Sequence, residues 1–119
     1  MSKFAKNIAP FVDEELRQAR AAELSGQSAL AFSHLERAHI LGQASTYQHV
    51  RVHLCMLQWG VRHRRPREVL GQVLRLFGAA TKTAIGLVPE GNTGGANVSA
   101  LKPMPIPQDL GAIIRQAQP

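Results

Sequence analysis

The stretch HLERAHILGQASTYQHVRVHLCM, residues 34–56, contains the end of one predicted helix and the start of the next, so it determines how the two helices are joined. Gly42 marks the end of the first of these helices, since glycine is common just beyond a helix C-terminus. Four of the chain's five histidines lie in this stretch, at positions 34, 39, 49 and 53. The arrangement raises the question of why imidazoles are concentrated where two helices meet.

Helical spacing of apolar residues continues on both sides of the stretch and predicts four main helices. Their predicted bounds are residues 10–25, 28–41, 46–64 and 67–78. Pro10 suits the first turn of the first helix, and Pro66 marks the break before the fourth, because proline disfavours a helical residue before it. Short connections make neighbouring helices antiparallel. The chain is therefore predicted to be all-α, with two antiparallel helical hairpins.

Apolar residues that recur at helical spacing give each helix a predicted core face. These faces are Val12, Leu16 and Ala19; Ala31, Leu35, Ala38 and Leu41; Tyr47, Val50, Leu54, Leu57 and Val61; and Leu70, Leu74 and Phe77. The fourth face repeats the spacing of the second after 39 residues, which indicates a weak internal repeat. Two repeats are too few to bury a solenoid core, so another segment must complete this one.

The chain is predicted to form a single domain over residues 1–119. Its C-terminal region is predicted to supply the segment that completes the core. Residues 86–108 are rich in glycine and proline and have no helical or strand period. A packed loop is favoured over a free tail because the segment contains the apolar anchors Val98, Leu101, Met104 and Ile106. Its polar side chains are predicted to bond the loop's own backbone; they are Asn92, Thr93, Asn97 and Ser99. A short last helix over residues 108–117 would present Leu110, Ile113 and Ile114.

Four residues near the helix junction are candidate metal ligands: Glu36, His39, His49 and His53. In an antiparallel pair, residues equidistant from the turn face one another, which brings His39 level with His49. The i,i+3 and i,i+4 spacings place each pair on one helix face. Three imidazoles and a carboxylate suit a transition metal ion. The sequence therefore predicts one Zn or Cu ion between the second and third helices, with a role in metal buffering or tolerance.

Other interpretations of the same residues stay open. Met56 follows the two histidines on the third helix and is a possible soft ligand, which would favour copper. The cluster can also be a metal-free hydrogen-bond network that fixes the register of the hairpins, or it can have a catalytic role. His34 lies on the inward face of the second helix and is interpreted as a core histidine bonded to a neighbour.

The net charge of +6 allows an acidic protein partner, nucleic acid or an anionic surface. The dense basic run is either a solvated turn or a binding surface for an acidic partner; it contains Arg62, Arg64, Arg65 and Arg67. Nucleic acid is not favoured, because no predicted helix is a recognition helix rich in Arg and Asn, and aromatic residues for base stacking are few.

The remaining features predict a cytoplasmic protein that is not an enzyme. No apolar run approaches the about 20 residues of a membrane helix, and the N-terminus lacks the apolar centre of a secretory signal. The single Cys55 agrees with a reducing compartment. The run EGNTGGANVS, residues 90–99, lacks the lysine of a P-loop, and no nucleophile motif is present.

Several of these motifs together resemble a small bacterial family of unknown function, family 3703. They are LERAHILGQ, His49 and His53, GNTGGANVS and PMPIP, which span nearly the whole chain. The resemblance implies an all-helical cytoplasmic protein without an established activity, and members of the family tend to be encoded among metal-resistance genes.

A second, weaker resemblance concerns the first hairpin. The spacing of Gly26, Ala31, Leu35 and Ala38 is similar to the second half of a tetratricopeptide repeat, in which small residues let two helices pack closely. This resemblance implies an alternative function, a protein-interaction adaptor whose histidines form a structural hydrogen-bond network.

Overall fold

The helices pair in chain order in the computed structural model, which describes residues 2–82, 89–99 and 101–119. Helices α1 (Lys3–Leu24) and α2 (Ser28–Gly42) pack as one hairpin, and α3 (Thr46–Arg62) and α4 (Pro66–Lys82) pack as another. Helix α5 (Gln108–Ala117) lies against α1 and α2. The described ranges contain no strand. The predicted all-α class with helical hairpins is confirmed.

Local signals explain the helix ends. The side chains of Ser2 and Ser45 cap α1 and α3 by accepting hydrogen bonds from backbone N–H groups three residues later. Gly26 follows α1 with a φ of +73°, a left-handed conformation that glycine adopts without steric cost. Gly42 lets α2 and α3 approach closely, because a Cβ there would lie 2.8 Å from the Cβ of Gln48. Pro66 is the first residue of α4, as its fixed φ favours.

Helix α1 begins at Lys3 and not at residue 10, so the predicted start is wrong. The Ser2 cap and the burial of Ala5 and Ile8 stabilise two additional turns. Pro10 lies inside the helix on its exposed side. Packing of the apolar face against the core therefore outweighs the hydrogen bond that proline removes from the helix.

The core is built from α1, α2, α3 and α5. Helix α2 presents its predicted face, with Ala31, Leu35, Ala38 and Leu41 all buried. Val12 and Ala19 of α1 are buried as predicted, and Leu16 packs against them. Helix α5 buries Leu110 completely and packs Ile113 and Ile114 against the same cluster.

The predicted core face of α3 is wrong. Tyr47, Leu54 and Val61 are exposed. The buried face is instead formed by Gln48, His49, Val52, His53, Met56, Trp59 and Gly60. Helix α3 has two apolar stripes, and the stripe that contains the histidines is the one that packs against α2.

The predicted core face of α4 is also wrong. Leu70, Leu74 and Phe77 are exposed by 64%, 64% and 74%. The opposite side of α4, with Gln72 and Ala79 buried, faces the rest of the protein. Gln72 has hydrogen-bond partners there that an apolar side chain would leave unpaired, so this polar face is directed inward.

The glycine-rich segment packs on the helices over its described part, residues 89–99 and 101–107. Asn92 is buried and donates from Nδ2 to the carbonyls of Ser99 (2.8 Å) and Lys102 (2.7 Å), while its Oδ1 accepts from the N–H of Gly94 (2.9 Å). This confirms the predicted bonding to the loop's own backbone at Asn92. The backbone N–H of Met104 donates to the carbonyl of Glu90 at 3.0 Å, which joins the two ends of the loop.

The predicted anchors of the loop behave differently from one another. Ile106 packs against the core, and Val98 and Met104 are half-buried. Leu101 is exposed, so its predicted role as an anchor is wrong. Residues 86–88 and 100 of the predicted segment lie outside the described residues. In the described ranges, no helix is long and apolar enough to cross a membrane.

Replacing Asn92 should measure how firmly the loop is held. Asn92→Ala removes three hydrogen bonds in a buried position, and we expect a loss of roughly 2–4 kcal/mol in the free energy of unfolding. The measurement is urea unfolding followed by circular dichroism. Asn97→Ala, an exposed asparagine in the same loop, should change stability by less than about 0.5 kcal/mol. Equal effects of the two substitutions would contradict the packed loop.

Candidate metal centre

Three buried imidazoles meet between α2 and α3. Nε2 of His39, on α2, lies 3.0 Å from Nε2 of His49 and 3.1 Å from Nε2 of His53, both on α3. One ring nitrogen from each histidine belongs to a group whose members all lie within 4.8 Å of one another. The predicted convergence of these three side chains is confirmed, and they are close enough to bind a metal ion.

The hydrogen-bond partner of Nδ1 determines which ring nitrogen of His39 carries the hydrogen. Nδ1 of His39 lies 2.7 Å from the backbone carbonyl oxygen of Asn92. A carbonyl oxygen only accepts hydrogen bonds, so Nδ1 must donate. In the neutral imidazole the other nitrogen, Nε2, then has a lone pair and no hydrogen.

His53 is fixed in the same tautomer by Gln72. Nδ1 of His53 lies 2.5 Å from Oε1 of Gln72. The orientation of this amide is set at its other end, where Nε2 donates to Oε2 of Glu68 at 2.6 Å and to the carbonyl of Gly94 at 2.9 Å. Both of these partners are acceptors, so the nitrogen must face them and the oxygen must face His53. Nε2 of neutral His53 therefore also has a bare lone pair.

The contact between His39 and His53 consequently lacks a hydrogen when both rings are neutral. Their two Nε2 lone pairs face each other at 3.1 Å, which is repulsive without a positive charge between them. A proton bound to one of the two Nε2 atoms could supply that charge, but protonation is disfavoured. Burial, followed by the neighbouring His53 and His49, lowers the pKa of His39 well below its usual value.

The other two rings are similarly difficult to protonate. Burial and then the charge of His53 lower the pKa of His49 to about 3. Burial lowers the pKa of His53 to about 4, although the hydrogen bond with Gln72 acts in the opposite direction. The three rings are therefore neutral at pH 7 and offer lone pairs to a cation.

The glycine-rich loop closes over the cluster from the side of α4. A Cβ on Gly94, which has a φ of +85°, would lie 2.5 Å from Cδ2 of His39, so a larger residue would collide with the ring. Two backbone N–H···carboxylate contacts join Ala96 to Glu68, at 3.3 and 3.1 Å. Glu68 thus holds both the loop and Gln72, and the loop and the cluster form one hydrogen-bonded unit.

Two of the predicted ligand candidates have other surroundings. Glu36 is half-buried and is not part of the group of converging ligand atoms. Burial and then the negative charge of Glu68 raise the pKa of its carboxyl. Met56 is buried, and its Sδ lies 3.4 Å from Nε2 of Gln72. A metal-binding role for either residue stays a prediction.

His34 and the basic turn lie away from the cluster. His34 bonds Oε1 of Glu15 through Nδ1 at 2.8 Å, as expected for a partnered histidine, but it is half-buried and not in the core. At the turn, Arg62 lies 3.4 Å from Oε2 of Glu23, and the guanidinium of Arg65 lies over the ring of Trp59 at 5.7 Å. Arg64 and Arg67 are exposed.

A cavity of about 230 Å³ opens beside the three histidines. Its described lining consists of His39, Gln43, His49, His53, Leu74, Arg75, Gly78, Ala79, Pro89, Asn92 and Gly94. Sequence reasoning did not identify Gln72, Arg75 or Gln43 as functional residues. The available signal was the polar stripe of Glu68, Gln72 and Arg75 at i, i+4 and i+7 on α4, which marks one face of a helix.

Fold and site define an all-helical protein with a buried three-histidine cluster closed by a glycine-rich loop. The chain belongs to the family described as protein of unknown function (DUF3703), whose model matches residues 6–114. No curated protein and no solved structure matches the chain. The resemblance to family 3703 is confirmed.

The lowered pKa values predict that the metal-free protein loses stability in mild acid. An unfolded histidine has a pKa near 6.5, so below that pH the unfolded state binds protons that the folded cluster does not. The stability is fully present above about pH 6.5 and decreases as pH falls toward the folded values of about 4 and 3. Each histidine contributes up to about 1.4 kcal/mol per pH unit.

Urea unfolding between pH 7 and pH 5, with a chelator present, measures this dependence. His49→Gln removes one of the titrating rings, so its stability should fall less steeply with pH than that of the wild type. A wild-type stability that is flat over this range would contradict the neutral cluster.

Proposed function

We propose that this protein binds one transition metal ion, Zn or Cu, through Nε2 of His39, His49 and His53, in metal buffering or tolerance. One observation carries the proposal: Nε2 of His39 and Nε2 of His53 face each other as lone pairs at 3.1 Å, because fixed oxygens hold their Nδ1 hydrogens. A divalent cation between the rings turns this repulsion into three favourable bonds.

The spacing of the nitrogens supports a tetrahedral metal ion. Zn–N bonds of about 2.0–2.1 Å place two ligand nitrogens roughly 3.3 Å apart at a tetrahedral centre. The distances of 3.0 and 3.1 Å are within a few tenths of an ångström of that value. Two of the three nitrogen pairs therefore already have nearly the spacing that the ion needs, and the third pair, between His49 and His53, lies within 4.8 Å.

The outer partners of the rings give a second argument. Metal-binding histidines commonly donate their other N–H to a carbonyl or carboxylate, which fixes the tautomer and the ring orientation. Here the carbonyl of Asn92 and the amide oxygen of Gln72 have that position. A metal-free hydrogen-bond network, in contrast, has no hydrogen for the contact between His39 and His53.

Nitrogen ligands without a thiolate suit Zn(II) and Cu(II). Met56 would become relevant as a soft ligand if the ion is Cu(I). The proposed function is metal binding. That the protein has no enzymatic activity stays a prediction.

Elemental analysis of untagged protein, followed by metal titration, tests the proposal. We expect one ion per chain and a rise in melting temperature on loading, because the ion binds the folded state. His49→Ala and His53→Ala should abolish tight binding. Gln72→Leu keeps all three ligands but removes the oxygen that orients His53, and should weaken affinity about 10–100-fold.

His63→Ala is the matched control, because His63 bonds Glu23 on α1 and lies outside the cluster. It should bind the ion as tightly as the wild type. The three ligands define a single site. Uptake of less than about a tenth of one ion per chain, or equal binding by all the variants, would therefore exclude the metal site.

The outward apolar face of α4 favours a second candidate function, a tetratricopeptide-like adaptor for a protein with an acidic surface. Leu70, Leu74 and Phe77 are exposed on this face, and contiguous exposed apolar residues commonly mark interaction sites. Arg64 and Arg67 at the preceding turn are exposed as well and would add attraction to acidic groups.

Affinity purification from native lysate at low ionic strength tests the adaptor. We expect a stoichiometric partner that Leu70→Gln releases and that the double variant Arg64→Gln/Arg67→Gln binds more weakly, with the difference reduced by salt. Leu101→Gln, an exposed leucine in the loop, is the control and should keep the partner. Retention of no stoichiometric protein would remove this candidate.

A further inference from the structure

We propose that the cavity beside the three histidines binds a small oxyanion that retains a hydroxyl group, such as hydrogencarbonate or hydrogenphosphate, as the fourth ligand of the metal. This inference rests on the proposed metal site. It concerns what occupies the coordination position that the protein leaves open, and which residues outside the histidine cluster recognise that ligand.

The three histidines leave one coordination position of the metal ion open. A tetrahedral ion needs four ligands, and the converging group in the described residues contains three. All three histidines also line the cavity of about 230 Å³, so the remaining position has space beside it. A water molecule takes about 30 Å³ of liquid volume, and the cavity is therefore large enough for a ligand of several heavy atoms.

Arg75 brings a positive charge to the cavity. Its NH1 donates to the carbonyl of Gly71 at 3.2 Å and its NH2 donates to the carbonyl of Val98 at 2.6 Å. These bonds hold the terminal nitrogens of the guanidinium beside the cavity. Its Nε is buried and has no hydrogen-bond partner among the described residues. A buried N–H donor without a partner is costly, and an anionic oxygen in the cavity would satisfy it.

The buried side chain of Gln43 lines the same cavity. Its Oε1 has no hydrogen-bond partner in the described part of the chain. An amide oxygen only accepts, so it needs an O–H or N–H from the ligand. A carboxylate such as acetate has no such hydrogen, whereas hydrogencarbonate and hydrogenphosphate each have one.

Together these groups define the ligand. Arg75 and Gln43 both line the cavity. In the proposed complex one oxygen binds the metal, and both side chains turn toward the ligand, so that Nε of Arg75 donates to a second oxygen and Oε1 of Gln43 accepts from a hydroxyl. Ala79 and Pro89 contribute apolar surface to the cavity lining, as does Leu74, which is also 64% exposed to solvent.

Cobalt substitution provides the test, since Co²⁺ accepts tetrahedral nitrogen sites and its visible absorption responds to a change of ligand. Protein loaded with Co²⁺ is titrated with hydrogencarbonate, hydrogenphosphate and acetate. We expect saturable spectral changes with the first two anions and at least about tenfold weaker binding of acetate, which leaves Gln43 without a donor.

Two substitutions assign the contacts. Arg75→Gln should weaken hydrogencarbonate binding at least about tenfold without preventing Co²⁺ uptake, because a charge-assisted hydrogen bond is lost. Arg115→Gln, which removes the same charge from an exposed position on α5, is the matched control and should have no effect. Gln43→Leu should remove the preference for hydrogencarbonate over acetate.

The outcomes separate the two proposals. Absence of uptake of Zn²⁺, Cu²⁺ and Co²⁺ alike would overturn the metal site and this inference with it. Uptake of Co²⁺ with an absorption spectrum that no anion changes would overturn this inference alone, and so would equal affinity of the wild type for acetate and hydrogencarbonate. The wild-type titration decides the matter even if Arg75→Gln fails to fold by circular dichroism.

Discussion

Two hydrogen bonds to fixed oxygens, one at Nδ1 of His39 and one at Nδ1 of His53, are the constraint on which the site depends. They hold both rings in one tautomer and direct both Nε2 lone pairs to a common point. The first oxygen belongs to the backbone of Asn92 and the second to the side chain of Gln72. The arrangement therefore requires the glycine-rich loop and helix α4 to be in place, although neither supplies a converging ligand atom from its described residues.

This requirement explains why α4 packs with its polar stripe inward. Gln72 bonds His53, Glu68 and the carbonyl of Gly94 at once, and each of these groups would be costly to bury without a partner. The apolar residues Leu70 and Leu74 are exposed as a consequence. The helix thus stabilises the site at the cost of an exposed hydrophobic face, which is the feature that favours an interaction partner.

The loop is held by its own backbone as well as by the helices. The side chain of Asn92 closes the loop on itself through Gly94, Ser99 and Lys102, while its carbonyl oxygen meets His39. Glycine is needed at position 94 because the backbone has a positive φ there and passes directly against the imidazole. A single buried asparagine thereby couples the conformation of the loop to the orientation of a histidine on α2.

The all-helical class, the two hairpins, the core face of α2 and the convergence of three histidines can all be predicted from the sequence. These features depend on local spacing: residues three or four apart share a helix face, and a short turn brings helix ends together. The inward faces of α3 and α4 were decided by the tertiary structure. Each of these helices has an exposed apolar stripe whose helical spacing is as regular as that of its buried face. The face that is buried therefore depends on what packs against the helix.

The environment of the histidines was likewise decided by the tertiary structure. Gln72 is 19 residues from His53 in sequence, and Asn92 is 53 residues from His39. No periodicity relates positions so far apart, and neither a glutamine side chain nor a backbone carbonyl indicates in the sequence which nitrogen it will bond. The lone pairs of the cluster are oriented by contacts that exist only after the loop, α4 and the α2–α3 junction have packed together.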